Sequence, residues 1–145
     1  MKNLKDVTFI TAVRIDSQDR AFNFSYVIQW LCTHLDTNIF IWESGKTPIA
    51  KELLRRINSH KTKITYWFEQ TNDTSFHRTR LLNEALIEVK TPVCCNYDCD
   101  ILLEPHVYAE ARDSVLSGNN FVYPYFLGLS QRQIFRHNQN SNLLE

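Results

Sequence analysis

The sequence predicts an α/β domain built on a mostly parallel, twisted sheet flanked by helices. Short runs of apolar and β-branched residues alternate along the chain with longer segments of helical period. Helical connections of ten or more residues join successive strands as right-handed crossovers, which make neighbouring strands parallel. The length of 145 residues and the apolar content of 43% fit one domain with a sizeable core.

Five segments are predicted to be strands, because each is short, rich in apolar or β-branched residues and bounded by polar or turn residues. They cover residues 7–13, 38–42, 63–68, 93–97 and 121–123. The first is apolar almost throughout, as expected of a strand buried on both faces. The carboxyl ends of parallel strands meet at one edge, beyond which ligands bind. Four polar residues at or just past strand ends are expected there: Arg14, Glu43, Glu69 and Asp98.

Four segments between the strands have the apolar period of helices. Thr47 is the expected cap of the second helix, with Pro48 at its first position. Pro105 opens the fourth helix, and Gly118 is its expected stop. The residues expected on the buried faces are Phe24, Val27, Ile28, Leu31 and Leu35; Ile49, Leu53, Leu54 and Ile57; Leu81, Leu82, Ala85, Leu86 and Val89; and Val107, Tyr108, Ala111 and Val115.

Composition argues against several classes of partner. Sixteen basic and sixteen acidic residues balance, so the chain has no global positive field for nucleic acid. No apolar run in the 145 residues approaches the ~20 that a transmembrane helix needs, and peripheral association of a full-length protein with a membrane is left open. The glycine-rich GxGxxG and GxxxxGK[ST] phosphate loops are also missing from the sequence.

The four cysteines are Cys32, Cys94, Cys95 and Cys99. Cys94 and Cys95 are neighbours on a predicted strand, so their side chains point to opposite faces, and no paired C-x-x-C spacing occurs. We therefore interpret the cysteines as reduced core residues rather than zinc ligands, which implies a reducing compartment. Because the first residues are also too polar for a signal peptide, we expect a cytoplasmic location.

Two carboxylates separated by one residue, Asp98 and Asp100, directly follow the predicted fourth strand. In extended backbone, residues i and i+2 project the same way, about 6–7 Å apart. Oxygen ligands combined with a diphosphate favour Mg²⁺ or Mn²⁺. A solvated turn is the alternative interpretation, but a position after a buried strand, at the ligand-binding edge, favours a metal site.

Five further positions are candidates for nucleotide binding. Arg78 and Arg80 open a predicted helix, where positive charge is unfavourable against the helix dipole unless an anion binds nearby. Glu43 ends the second strand, where a carboxylate can accept a hydrogen bond from a nucleobase or ribose. Val13 and Arg14 end the first strand, where a base or ribose is expected to rest. For the charged residues, ordinary solvated side chains remain the alternative.

The order of these motifs resembles the nucleotide-binding half of GT-A-type glycosyltransferases, particularly bacterial family 2-like enzymes. The resemblance runs over residues 7–125 and is strongest in residues 76–86, FHRTRLLNEAL, followed by residues 91–100, TPVCCNYDCD. These segments look like the family's arginine-rich helix and the DxD strand after it. Residues 11–16 are similar to its first strand and nucleobase loop, without the common proline-tyrosine-asparagine form. The resemblance implies a Rossmann-like GT-A sheet.

The resemblance also implies transfer of a sugar from a nucleotide-diphosphate sugar donor to an acceptor, a glycan or glycoconjugate. Asp100 would hold a divalent cation, Mn²⁺ or Mg²⁺, on the diphosphate, and Asp98 would contact the ribose or share the metal. Arg78 and Arg80 would bind near the diphosphate or the donor sugar. The cation would neutralise charge that develops on the leaving diphosphate.

In an inverting member of the family, an acid well downstream of DxD deprotonates the acceptor, and only about 45 residues follow Asp100 here. We therefore expect residues 1–145 to form a single nucleotide-sugar-binding domain, truncated before the acceptor-binding half and without the catalytic base. One alternative is a HAD-like phosphohydrolase, although that class carries its Asp-x-Asp on the first strand. The other is a non-catalytic nucleotide-binding or interaction module.

Overall fold

A computed structural model describes residues 1–124 of the chain, in which four strands alternate with four helices. In chain order the elements are β1 (Lys2–Val13), α1 (Gln18–His34), β2 (Leu35–Gly45), α2 (Ile49–Leu54), β3 (Lys63–Gln70), α3 (Arg78–Glu88), β4 (Val93–Asn96) and α4 (Pro105–Leu116). All strand pairs are parallel, in the order β3-β2-β1-β4. The predicted α/β class with a parallel sheet is therefore confirmed, and the architecture is Rossmann-like.

The helices divide unequally between the two faces of the sheet. Successive residues of β1 point to opposite faces, so Phe9 lies in one core cluster and Ile10 in the other. Residues of α1, α2 and α4 pack into the larger cluster. Among the helices of residues 1–124, α3 alone covers the other face, where Leu82 and Ala85 join Ile10 and Phe40. The sheet is therefore densely covered on one face and thinly covered on the other.

The strand order creates a switch point between β1 and β4. The chain steps from β1 to β2 and β3 on one side, then crosses back to place β4 on the other side of β1. Connections from adjacent strands that leave in opposite directions open a crevice at the carboxyl edge. The Tyr97 N–H donates to the Ile10 carbonyl at 2.9 Å, which extends the pairing past β4 and brings Asp98 to this crevice.

The predicted fifth strand is wrong for the described chain. Residues 121–124 have no strand structure, and the side chains of Phe121 and Tyr123 are 70% and 72% exposed. Their apolar character predicted a buried strand, but they reach neither the sheet nor the core. The end of the resembling region, residue 125, and the residues after it lie outside the described residues.

The start of α2 also differs from the prediction. Pro48 is the residue before the helix instead of its first residue, and its side chain makes no capping hydrogen bond. The N–H of Ala50 donates instead to the carboxylate of Glu43. The side chain of Glu43, from β2, therefore caps α2 in place of Thr47, the residue that the sequence predicted as the cap.

Predictions for the later helices are confirmed with one exception. Most of the expected apolar face of α3 is buried or partly buried, but Leu86 is half-exposed because it points away from the sheet. Pro105 occupies the first turn of α4, and Gly118 follows that helix with a φ of 115°, a conformation that glycine adopts without strain. None of the helices in residues 1–124 combines the length and apolar character that crossing a bilayer requires.

Candidate functional site

A cavity of about 320 Å³ opens at the crevice between β1 and β4. Its walls come from the end of β1, the first turns of α1, the loop before α3 and the segment after β4. Five charged residues line it: Arg14, Arg20, Arg78, Asp98 and Asp100. Positive charges outnumber negative ones by one, so the cavity can accept an anionic ligand while two carboxylates remain to hold a cation.

Arg78 and Asp98 form the central contact of this cavity. A guanidinium N–H of Arg78 donates to Oδ1 of Asp98 at 2.5 Å, and the same Nη2 lies 3.4 Å from Oδ1 of Asn96. Arg78 is the first residue of α3, whereas Asp98 follows β4. The structure thus brings the start of α3 next to the segment that carries the acid pair. Because guanidinium has five N–H donors, Arg78 retains donors for an anion.

Asp100 lines the same cavity and is exposed. Within the described part of the chain, no group of three or more histidine, cysteine or acidic residues is placed to hold a metal ion. A cation here would therefore take the two carboxylates and complete its shell with phosphate and water oxygens. This is how Mg²⁺ usually binds in phosphate-handling sites, and the hard oxygen donors fit it.

Arg14 fixes one wall of the cavity. Its Nε donates to the Ser44 carbonyl at 3.2 Å and its Nη1 to the Thr74 carbonyl at 3.0 Å. The guanidinium also lies 5.4 Å from the centre of the Phe76 ring. Arg14 therefore ties the loop before α3 to the end of β2. These acceptors are carbonyl groups rather than carboxylates. Val13 is buried and contributes an apolar part of the same wall.

Several lining residues were missed by the sequence reasoning, among them Arg20, Asn23 and Phe76. The signal for Arg20 was present in the sequence, because Ser17 caps α1 by accepting from the Arg20 N–H at 3.2 Å. A serine cap soon after a strand directs the first turn of the next helix toward the ligand-binding edge. Positions 20, 23 and 24 then lie on one helical face.

Glu43 is not brought into the cavity. Its side chain is only 1% exposed, and its two carboxylate oxygens lie 3.0 and 3.1 Å from the Ala50 N–H. The hydroxyl of Tyr66 donates to the same carboxylate at 2.5 Å. Burial and this hydrogen bond raise the pKa of Tyr66 above its ordinary range. The structure thus places Glu43 as a buried anchor between β2, β3 and the start of α2.

Arg80 also lies outside the cavity lining. It donates two hydrogen bonds to Glu69, at 2.7 and 2.8 Å, and another to Glu84 at 3.0 Å. The hydrogen bonds from Arg80 lower the pKa of Glu69. The neighbouring His77 is similarly engaged, with Nε2 lying 2.8 Å from Oδ2 of Asp73. The two arginines at the start of α3 therefore diverge, and only Arg78 reaches the cavity.

Cys99 separates the two acids and belongs to the cavity wall. Its Sγ lies 3.3 Å from the hydroxyl of Thr11, and burial raises the pKa of its thiol to about 12. A thiol with that pKa stays protonated near neutral pH, so Cys99 is neither an activated nucleophile nor a ready thiolate ligand. All four cysteines are free.

Fold and site together define an α/β protein with a cationic crevice at a topological switch point and two carboxylates in its wall. Comparison of the chain with known protein families, characterised proteins and solved structures finds no match. The resemblance to glycosyltransferases therefore depends on the motif residues and on their placement in this crevice.

Proposed function

We propose that this chain is a glycosyltransferase domain that binds a nucleotide-diphosphate sugar through a divalent cation, Mn²⁺ or Mg²⁺. The sugar is transferred to a glycan or glycoconjugate acceptor. The observation that supports this most is that Arg78, Asp98 and Asp100 line one cavity at the β1–β4 crevice. In open parallel sheets this crevice is where nucleotides bind.

The charges of the cavity suit a diphosphate that carries a cation. Asp100 and Asp98 hold the cation, and the diphosphate oxygens supply further ligands. Arg78 and Arg14 donate charge-assisted hydrogen bonds to the phosphates or the ribose. When bound, the cation supplies Lewis-acid stabilisation of the leaving diphosphate.

The apolar part of the cavity suits the nucleobase. Val13, Ile15, Phe24 and Phe76 line it beside Arg14, and together they give the cavity an apolar wall next to a guanidinium. In this proposal Arg78 acts on the phosphates, whereas Arg80 and Glu43 support the surrounding structure.

The cavity contains no carboxylate beyond Asp98 and Asp100 among the described residues. Both of these acids are assigned to the cation, so the base that activates the acceptor comes from elsewhere than the described cavity. The same observation favours a second candidate function, a module that binds the nucleotide without transferring the sugar.

Calorimetric titration of UDP and GDP, each with and without MnCl₂, tests the proposal on the full chain. We expect binding of at least one nucleotide that depends on the metal. Asp100→Ala should weaken that binding by at least ~10-fold, because it removes one of two protein ligands to the cation. Its stability should change by less than about 1 kcal/mol, since the side chain is exposed.

Glu110→Ala is the matched control, because it removes an exposed carboxylate from α4, away from the cavity lining. It should bind like the unchanged chain. Nucleotide binding that is indifferent to Mn²⁺, or equal in Asp100→Ala and Glu110→Ala, would contradict the metal assignment.

A turnover assay then separates the candidate functions. Release of UDP or GDP from nucleotide sugars supports a transferase, and metal-dependent binding without release supports the non-catalytic module. Turnover of a generic phosphate ester supports the HAD-like phosphohydrolase. That last outcome is not expected, because the acid pair follows the fourth strand rather than the first.

A further inference from the structure

The strand β3 lies at the edge of the sheet and presents an unpaired outer side in the described part of the chain. It is eight residues long, and its pairing with β2 runs over eight residue pairs without a register shift. Its sequence, KITYWFEQ, contains neither proline nor glycine. Proteins usually protect exposed edges with prolines, bulges, very short strands or charged side chains, and of these β3 has only the charges near its two ends, Lys63 and Glu69.

The side chains of β3 are unusually apolar for an exposed edge. On the face covered by α3, the Trp67 ring packs 4.9 Å from that of Trp42 and 5.3 Å from that of Phe40, measured between centroids. Trp67 is nevertheless 41% exposed. In the described chain the edge therefore combines backbone N–H and C=O groups that pair with no neighbouring strand and an aromatic surface that α3 covers incompletely.

We propose that β3 pairs antiparallel with β3 of a second copy of this chain, which joins two sheets into one of eight strands. A two-fold axis perpendicular to the sheet relates the copies and keeps both α3 helices on the same side. Directly opposed residues then point to the same face. Side chains alternate between the two faces along a strand, and the two-fold axis keeps each face the same in both copies. Odd-numbered residues of one β3 therefore lie opposite odd-numbered residues of the other, and even-numbered opposite even-numbered.

Charge selects one register among those allowed. Glu69, Arg80 and Glu84 form a cluster that carries one net negative charge, whereas Lys63 is exposed at the other end of β3. A register centred on Tyr66 places each Lys63 opposite Glu69 of the second copy, and opposite charges in this position stabilise a strand pair. In the same register Ile64 opposes Phe68, Thr65 opposes Trp67, and Tyr66 opposes its own copy.

The register centred on Trp67 is less favourable. It places Thr65 opposite Glu69 and moves Lys63 beyond the end of the partner strand, so both charge pairs are lost. Because β2 separates β3 from β1, the dimer leaves the β1–β4 cavity open. The inference therefore stands independently of the proposed function.

Sedimentation velocity of the full chain over a range of concentrations is the first test. We expect a reversible dimer whose dissociation constant rises at least ~10-fold in Lys63→Glu, because that change sets two carboxylates opposite each other. Lys90→Glu is the matched control, since it makes the same charge change at an exposed position before β4, the strand at the opposite edge. It should dimerise like the unchanged chain.

Cross-linking tests the register itself. Opposed residues of antiparallel strands have Cα atoms about 4.5–5.5 Å apart, within the range of a disulfide. A chain with Thr65→Cys mixed with a chain carrying Trp67→Cys should therefore form a disulfide-linked dimer on mild oxidation. Neither variant alone should do so, because in this register residue 65 does not oppose residue 65 and residue 67 does not oppose residue 67. The unsubstituted chain has no cysteine in β3 and should not form the disulfide either.

A chain that stays monomeric at every concentration overturns the proposal. A dimer that responds equally to Lys63→Glu and Lys90→Glu overturns it too, because another surface must then mediate association. So does a dimer in which the mixed cysteine variants fail to cross-link although both are folded by circular dichroism.

Discussion

The two halves of the sheet's carboxyl edge differ in whether their acidic residues face an open cavity. At the ends of β2 and β3, Glu43 and Glu69 are occupied by a helix N–H, a tyrosine hydroxyl and an arginine. Past the end of β4, Asp98 is also paired with an arginine, Arg78, but it and Asp100 line an open cavity. Similar residues at similar sequence positions therefore have a structural role in one half and a candidate binding role in the other.

The spacing between strand and helix explains why Glu43 and the acid pair Asp98 and Asp100 have different roles. Only three residues separate β2 from α2, so the first N–H groups of that helix reach back to the Glu43 carboxylate. Eight residues separate β4 from α4, and this longer connection leaves Asp98 and Asp100 free of the helix that follows. The short connection lets Glu43 cap α2, whereas Glu69, which a longer connection separates from α3, is occupied by the Arg80 side chain instead.

Glu43→Ala should give the largest effect, a loss of about 3 kcal/mol in the free energy of unfolding measured with urea. The substitution leaves the buried N–H of Ala50 and the hydroxyl of Tyr66 without their acceptor. Glu52→Ala, which removes an exposed carboxylate from α2, should cost well under about 1 kcal/mol. If both substitutions cost the same, Glu43 is not the anchor that its contacts indicate.

Substitution of the two arginines at the start of α3 should have different effects on nucleotide affinity. With Mn²⁺ saturating, Arg78→Ala is expected to weaken UDP or GDP binding by about 10-fold, because it removes a charge-assisted donor from the cavity. Arg80→Ala, two residues further on, should change the affinity less than about twofold, since Arg80 is paired with Glu69 and Glu84. The reverse order in calorimetry would reassign the phosphate-binding arginine.

The smallest expected effect is the pH dependence of the stability that the Glu69–Arg80 pair contributes. The pKa of Glu69 is lowered in the folded chain, chiefly by Arg80, so this pair stabilises the fold above the usual glutamate range. That contribution is lost as pH falls through the lowered pKa. Arg80→Met should therefore cost about 0.5 kcal/mol at pH 7 and progressively less below about pH 4. Both side chains are a third or more exposed, which keeps the effect small.

A Glu69→Gln background provides the control for this pH dependence. In that background the cost of Arg80→Met should be nearly the same at pH 7 and in acid, because the titrating partner is gone. A cost that still shrinks in acid would assign the effect to another carboxylate, with Glu84 as the first candidate.

Local sequence patterns predicted most of the fold and part of the site. Four strands were located because apolar, β-branched runs reflect burial directly, and the acid pair was recognised because it follows one of them. Residues 121–123 share that composition, yet they lie exposed outside the sheet. Composition alone does not tell whether a partner strand is available. Arg20 was missed because its role depends on the direction in which α1 leaves β1.

The sequence by itself determined the alternation of strands and helices, the parallel sheet and the placement of acids and arginines near its carboxyl edge. These features depend on periodicity and on short-range geometry, which neighbouring residues specify. Only the tertiary structure decided that Arg78 meets Asp98 while Arg80 meets Glu69, and that Glu43 is buried beneath α2. Those outcomes depend on which distant segments pack together, because a charged group pairs with whichever partner the fold brings within hydrogen-bonding distance.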